Sequence, residues 1–138
     1  MDQHSPSSAH YQALLTRFNQ ITEHGGGRFR ISMMRVNRCL ILRFEGEVAI
    51  FSSSDLLDRI RPVLNEAKGQ ACVIDLSLCD FLASSAIGFI AVVSMEIGRT
   101  GGGVYLVRPN EKISRMLSIL GIDKVVTVVE SVEAVIGE

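Results

Sequence analysis

The stretch from residue 71 to residue 108 most constrains the fold. A short apolar run, "ACVIDLSL", passes through "CDFLA" into the helical pattern "SSAIGFIAVVSMEIGRT", and a glycine turn returns the chain to a second apolar run, "GVYLVR". Two strand-like runs separated by a helix cannot close as a hairpin. The chain has to cross over one face of a sheet and lay the second strand parallel to the first.

The flanking sequence repeats the alternation. Phe29, Ile31 and Met33 alternate with Arg30 and Ser32, and after a turn at Asn37 comes the run Cys39-Leu40-Ile41-Leu42-Arg43-Phe44, which predicts an opening hairpin. In "SSSDLLDRIRPVLNEA", Leu56, Leu57, Ile60, Val63 and Leu64 form a helical stripe, with the serines and Asp55 as cap and dipole complement and Pro62 as a residue that ends or kinks the helix early. "NEKISRMLSILG" places Ile113, Met116, Leu117 and Leu120 on one face with Gly121 as the stop. "KVVTVV" reads as a last strand and "SVEAVIGE" as a short closing helix. The expectation is an α/β domain: a mixed sheet, mostly parallel, with an antiparallel opening hairpin and flanking helices.

A chain of 138 residues supplies one core of this kind, and 47% hydrophobic with 21% charged residues is a globular composition. A net charge of −1 gives no basic face for nucleic acid. Apolar runs such as "AIGFIAVV" fall short of the roughly 20 residues that cross a bilayer, and "MDQHSPSSAH" is too polar to open a secretory signal, so a cytoplasmic protein without membrane insertion is expected. Cys39, Cys72 and Cys79 have no metal-ligand spacing and read as buried thiols; His4, His10 and His24 all lie in the N-terminal tail. Neither a metal nor a cofactor is expected.

Residues 1–27 stand apart from the domain at 28–138. Tyr11, Leu14, Leu15, Phe18 and Ile21 share one helical face, Ser7 or Ser8 can cap it, and Gly25 to Gly27 form a hinge. Such a helix either packs on its own domain or docks a partner or a second copy, the latter giving a homodimer.

Ser84 and Ser85 open the helix after "CDFLA". A hydrolase serine at a strand-to-helix turn needs a G-x-S-x-G frame and a histidine base; the glycines are missing, and no histidine follows residue 24. "RTGGGVYLVRPN" has no P-loop lysine and leads into a strand. Asp75 and Asp80 lack the strand-end lysine of a phosphoaspartate receiver, and Asp80 reads as a turn residue. Two readings of the serines remain. Ser84 caps the helix through its hydroxyl, or it accepts a phosphoryl group that the helix N-terminus can hold. The helix itself, with Ile87, Phe89, Ile90, Val92, Val93 and Met95, is apolar over more than one stripe and so is deeply buried or covered by a partner.

From about Phe29 to Gly137 the chain resembles the STAS domain family, the bacterial anti-sigma factor antagonists and their relatives. The resemblance rests on "FEGEVAIFSSSDLLDRI", "VIDLSLCDFLASSAIGFIAVV" and "GGGVYLVRPNEKISRMLSILGIDKVV". It implies a non-enzymatic regulator whose D-S-[ST]-G serine, here Ser84 with Ser85 beside it, is phosphorylated by a partner serine kinase that is itself an anti-sigma factor, a phosphatase resetting the cycle. It further implies a partner surface at Glu47, Ala49, Ser52, Ser53, Ala83, Ser84, Ser85, Ile87, Phe89 and Val92. Ala83 and Ala86 replace the family's aspartate and glycine, and Ala49 replaces an aspartate usual after "GE"; Ala86 would put a methyl where a partner approaches. Within the family the alternative is a constitutive adaptor of a lipid-transport assembly, which needs no phosphorylation. Outside it, the alternative is the serine hydrolase.

Overall fold

A computed structural model of the chain describes residues 29–48, 53–67 and 69–136, with residues 53–55 described by their backbone alone. The expected helix at residues 7–24 and its hinge lie outside them. Strands β1 (Phe29–Val36) and β2 (Cys39–Val48) form the antiparallel hairpin, in register from Phe29 opposite Gly46 to Val36 opposite Cys39. Asn37 and Arg38 both take positive φ, 48° and 66°, the pair of left-handed residues that a two-residue turn needs to match the strand twist. Helix α1 (Ser53–Glu66) then crosses to β3 (Ala71–Leu82), α2 (Ser84–Arg99) to β4 (Val104–Val107), and α3 (Glu111–Ile119) with a 3-10 turn (Ile122–Lys124) to β5 (Thr127–Val129); α4 (Glu133–Ile136) follows. The sheet order is β1-β2-β3-β4-β5, parallel from β2 onward. The mixed α/β fold expected from the sequence is the fold observed.

One face of the sheet carries the main core. Ile31, Leu40, Leu42, Phe44, Ile74 and Leu106 point at Ile60 and Val63 of α1, at Ile87, Phe89, Ile90 and Val93 of α2, and at Ile113 and Leu117 of α3. Each such side chain contributes about 1.5–3 kcal/mol by leaving water. Phe44 and Phe89 meet with ring centroids 6.3 Å apart and planes tilted by 53°. On the opposite face Ile41, Val73 and Val107 form a smaller cluster with Val132, Val135 and Ile136. Beside it the buried carboxylate of Asp75 accepts from Arg43 Nε at 3.2 Å and, on its other oxygen, from the Ser77 amide at 3.0 Å and hydroxyl at 2.7 Å. A charge taken out of water is tolerated there because donors surround it.

Three expectations change, and one open alternative is decided. Helix α1 runs through Pro62 to Glu66: Pro62 faces solvent, while the fully buried Ile60 and Val63 on either side hold both halves on the sheet. Packing outweighs one lost helical hydrogen bond. Strand β3 continues four residues past Leu78, so Asp80 is a strand residue rather than a turn residue. "KVVTVV" yields strand only from Thr127. Gly121, at φ 77°, ends α3, and burial of Ile122 winds the next residues into the 3-10 turn. Helix α2 owes its wide apolar surface to burial: Ala86, Ile87, Phe89, Ile90, Val93 and Ile97 all pack inward.

Candidate functional site at the start of helix α2

Parallel register carries the ends of β2 and β3 to the same edge. Glu47 lies beside Phe81 and Val48 beside Leu82, and the Ala83 amide donates to the Val48 carbonyl at 2.8 Å, which fixes the junction between β3 and α2. Reaching this point takes two irregularities in the β2–β3 ladder, between Arg43 and Glu45 and between Gly46 and Glu47, where β3 carries an extra residue each time. Bulges bend a strand and re-aim its side chains. They leave Leu78 and Phe81 57% and 49% exposed beside the junction, with Asp80 also at the surface.

Ala83 is the N-cap, in extended conformation (φ −67°, ψ 160°), and its carbonyl accepts from the amides of Ala86 and Ile87, both at 3.0 Å. An alanine offers no side-chain cap. Ser84 is the first helical residue and does not cap the helix through its hydroxyl; the first turn also carries no acidic side chain. The amides that open an α-helix point outward with the positive end of its dipole, and here neither a capping oxygen nor a carboxylate from the helix answers them. Ser84 is exposed on this turn and Ser85 half-buried.

The other residues of the expected surface divide. Glu47, Ala83, Ser84 and Ser85 come together at the junction, and Val92 is half-buried two turns along α2. Ile87 and Phe89 are 1% and 0% exposed: they face the sheet and cannot touch a partner. The Ala86 methyl is buried in the same core, so it stands in no partner's way. Ala49 and Ser52 lie outside the described residues, as does the side chain of Ser53 at the start of α1. What α2 presents outward is Gly88, the half-buried Ala91 and Val92, and Met95, 64% exposed. Leu78, Phe81, Gly88 and Met95 were not among the residues named for the expected surface, although Gly88 and Met95 belong to the helix expected to form it. A strict two-residue period hides the bulged Leu78 and Phe81, whereas the helical period from Ser84 does place Gly88 and Met95 outward.

Asn110 braces the junction from the other side. Its Oδ1 accepts from the Ile113 amide at 2.9 Å, capping α3, and its Nδ2 donates to the Asp80 carbonyl at 3.1 Å. A groove of about 260 Å³ lined by Arg61, Asn65, Glu96 and Arg99 sits near the far end of α2, about 24 Å along a 16-residue helix from Ser84. Among the described residues no cluster of three or more His, Cys, Asp or Glu side chains could hold a metal, and no helix is long and apolar enough to cross a membrane.

Known proteins share this fold. The chain is 32% identical over 63 residues to a Thermotoga maritima protein that carries the name of an anti-sigma factor antagonist, a match covering 46% of this chain and 56% of that relative. The chain therefore spans little more than half the length of that relative. Among solved structures, a Thermotoga maritima protein named in the same way superposes with a TM-score of 0.64 at 24% identity, covering 75% of this chain and 89% of the other. The anti-sigma factor antagonist SpoIIAA in its unphosphorylated form superposes with a TM-score of 0.60 at 15% identity, over 77% and 91%. The phosphorylated form of SpoIIAA, from Bacillus, gives 0.55 at 18% identity, over 77% and 95%. The STAS domain family model matches residues 30–135. With that match across the whole sheet and the helices over it, the chain belongs to the STAS domain family.

Proposed function

We propose that this protein is a non-enzymatic cytoplasmic regulator of the anti-sigma factor antagonist type. It binds a serine kinase that doubles as an anti-sigma factor through the surface around Ser84, and phosphorylation of Ser84 switches that binding, with a phosphatase as the reset. The observation that carries this reading is the exposure of Ser84 at the uncapped, acid-free first turn of α2. A phosphoryl group brings close to two negative charges, and the outward amides and dipole of that turn favour them locally. A kinase face fitted to a neutral serine would then meet a dianion, and like charge or lost burial would release it. SpoIIAA, whose fold this chain shares, has been solved in both phosphorylation states.

Loss of the family's aspartate at Ala83 removes a negative neighbour that would repel the phosphate. Incubation with the cognate serine kinase and ATP, followed by mass spectrometry, is expected to place phosphate on Ser84 and on nothing else in the Ser84–Ser85 pair. Ser84→Asp is expected to weaken kinase binding at least about tenfold, or about 1.4 kcal/mol. Kinase binding that is unaffected by Ser84→Asp, with no phosphate on Ser84, would overturn the switch and leave a constitutive adaptor.

A further inference from the structure

The sheet is covered unequally. Helices α1, α2 and α3 all pack on one face, while the only described element over the other is α4, a single turn of four residues. A mostly parallel sheet normally has both faces covered, because its strands are apolar on both sides. One row of the strands here obeys that pattern: the registers align Met34, Ile41, Val73 and Tyr105 across the second face, from the edge strand β1 to β4, beside a polar row of Ser32, Arg43 and Asp75. At the β4 end α4 covers the row. At the β1 end Met34 is 51% exposed, yet Ile41 beside it is only 5% exposed.

The chain that precedes β1 has the composition to complete this face. Within residues 7–24, Tyr11, Leu14, Leu15, Phe18 and Ile21 share one helical stripe, and an 18-residue helix is about 27 Å long, the length of the eight-residue β1. Gly25 to Gly27 can span about 10 Å, enough to reverse direction and to cross the roughly 10 Å between a sheet and a layer packed on it. Phe29 enters β1 opposite Gly46, at the edge of the sheet and five residues before Met34, so a segment returning antiparallel to β1 runs back toward Met34. The other face offers no room, its inward side chains being sealed by α1 to α3.

We propose that residues 7–24 form an amphipathic helix that folds back antiparallel to β1 and seats its apolar stripe on Met34 and Ile41 beside α4, completing the second layer of the domain in cis. The contact lies on the sheet face away from α2, so it stands or falls independently of any role for Ser84.

Cysteine pairs in the full-length chain test this. Met34→Cys is combined with Leu15→Cys or Phe18→Cys on the stripe, and, as controls, with Thr16→Cys or Gln20→Cys on its opposite side. Met34 is half-exposed, so its replacement leaves the fold standing, and circular dichroism checks this. Under mild oxidation at micromolar protein, at least one stripe pair should form an intramolecular disulfide roughly tenfold faster than either control, because a docked segment holds its thiol at high effective concentration. Peptide mapping identifies the bonded residues. Equal rates for stripe and control pairs would overturn the proposal. A disulfide-linked dimer would overturn it too, by giving the face to a second copy. Hydrogen exchange on the unmodified chain provides a second reading: amides of residues 11–21 slowed at least about tenfold against unstructured rates support docking, and unprotected amides refute it.

Discussion

Asn110 joins two elements through one side chain, donating to the Asp80 carbonyl at 3.1 Å while accepting from the Ile113 amide at 2.9 Å. The first bond braces the last residues of β3 ahead of Ser84, and the second starts α3. Asn110→Ala is expected to cost about 1–2 kcal/mol, measured by urea unfolding, since a cap and a hydrogen bond are lost together. Asn110→Asp keeps the cap but cannot donate to Asp80. It should recover about half of that loss, and partner affinity in this variant reports whether the brace positions the Ser84 junction.

Helix α2 separates stability from recognition by side. Phe89→Ala removes a fully buried ring that packs on Phe44 and should cost about 3–5 kcal/mol, enough to unfold much of a small domain's population. Met95→Asp changes an exposed position and should alter stability by less than about 0.5 kcal/mol. If the outward side of α2 meets the partner, Met95→Asp weakens capture in a pull-down while its melting temperature holds.

Two glycines give opposite expectations. A Cβ on Gly88 meets nothing within 4 Å, so Gly88→Ala should stabilise the helix by up to about 1 kcal/mol. A Cβ on Gly102 would drive into the main-chain oxygen of Gln70, and Gly102→Ala should destabilise by about 1–3 kcal/mol as that contact is forced apart. Thermal unfolding of both variants reads the difference as shifts of opposite sign.

The three buried thiols set an alkaline limit. Burial pushes Cys72 up to about 12 and Cys79 up to about 11 from an ordinary 9.0, so between pH 9 and 11 or 12 the unfolded chain releases protons that the native chain retains. Stability is therefore full below pH 9 and falls as pH rises through that window, which chemical denaturation at pH 8, 10 and 11 will show. At pH 8 burial keeps the Cys72 thiol protonated and out of reach, so it should react with a thiol reagent only after unfolding.

The crossover pattern of the fold was legible from the order of apolar runs, because strand and helix periods leave different marks on a sequence. The site was legible only in part. Ser84 stands where the helical pattern begins, and its position needs no side-chain detail. Ile87 and Phe89 misled because hydrophobicity alone does not tell a residue facing the sheet from one facing a partner; their spacing from the outward Gly88 and Met95 does. Leu78, Phe81 and Asp80 were hidden by two bulges, each of which shifts the alternation by one residue on β3, where no glycine marks it; Gly46, at φ 86°, marks only the partner strand at the second. Pro62 looked like a stop because propensity was weighed without the buried residues on both sides of it.

The strands follow one another across the sheet in chain order, β1 to β5. Parallel sheets that bind small molecules usually do so where the strand order reverses and two crossovers part on opposite faces, leaving a crevice above the strand ends. A sheet wound in one direction never opens that crevice. Its carboxyl edge is roofed by a junction instead, where the hydroxyl of Ser84 is exposed together with the carboxylates of Glu47 and Asp80. At that edge such an architecture offers a surface rather than a crevice.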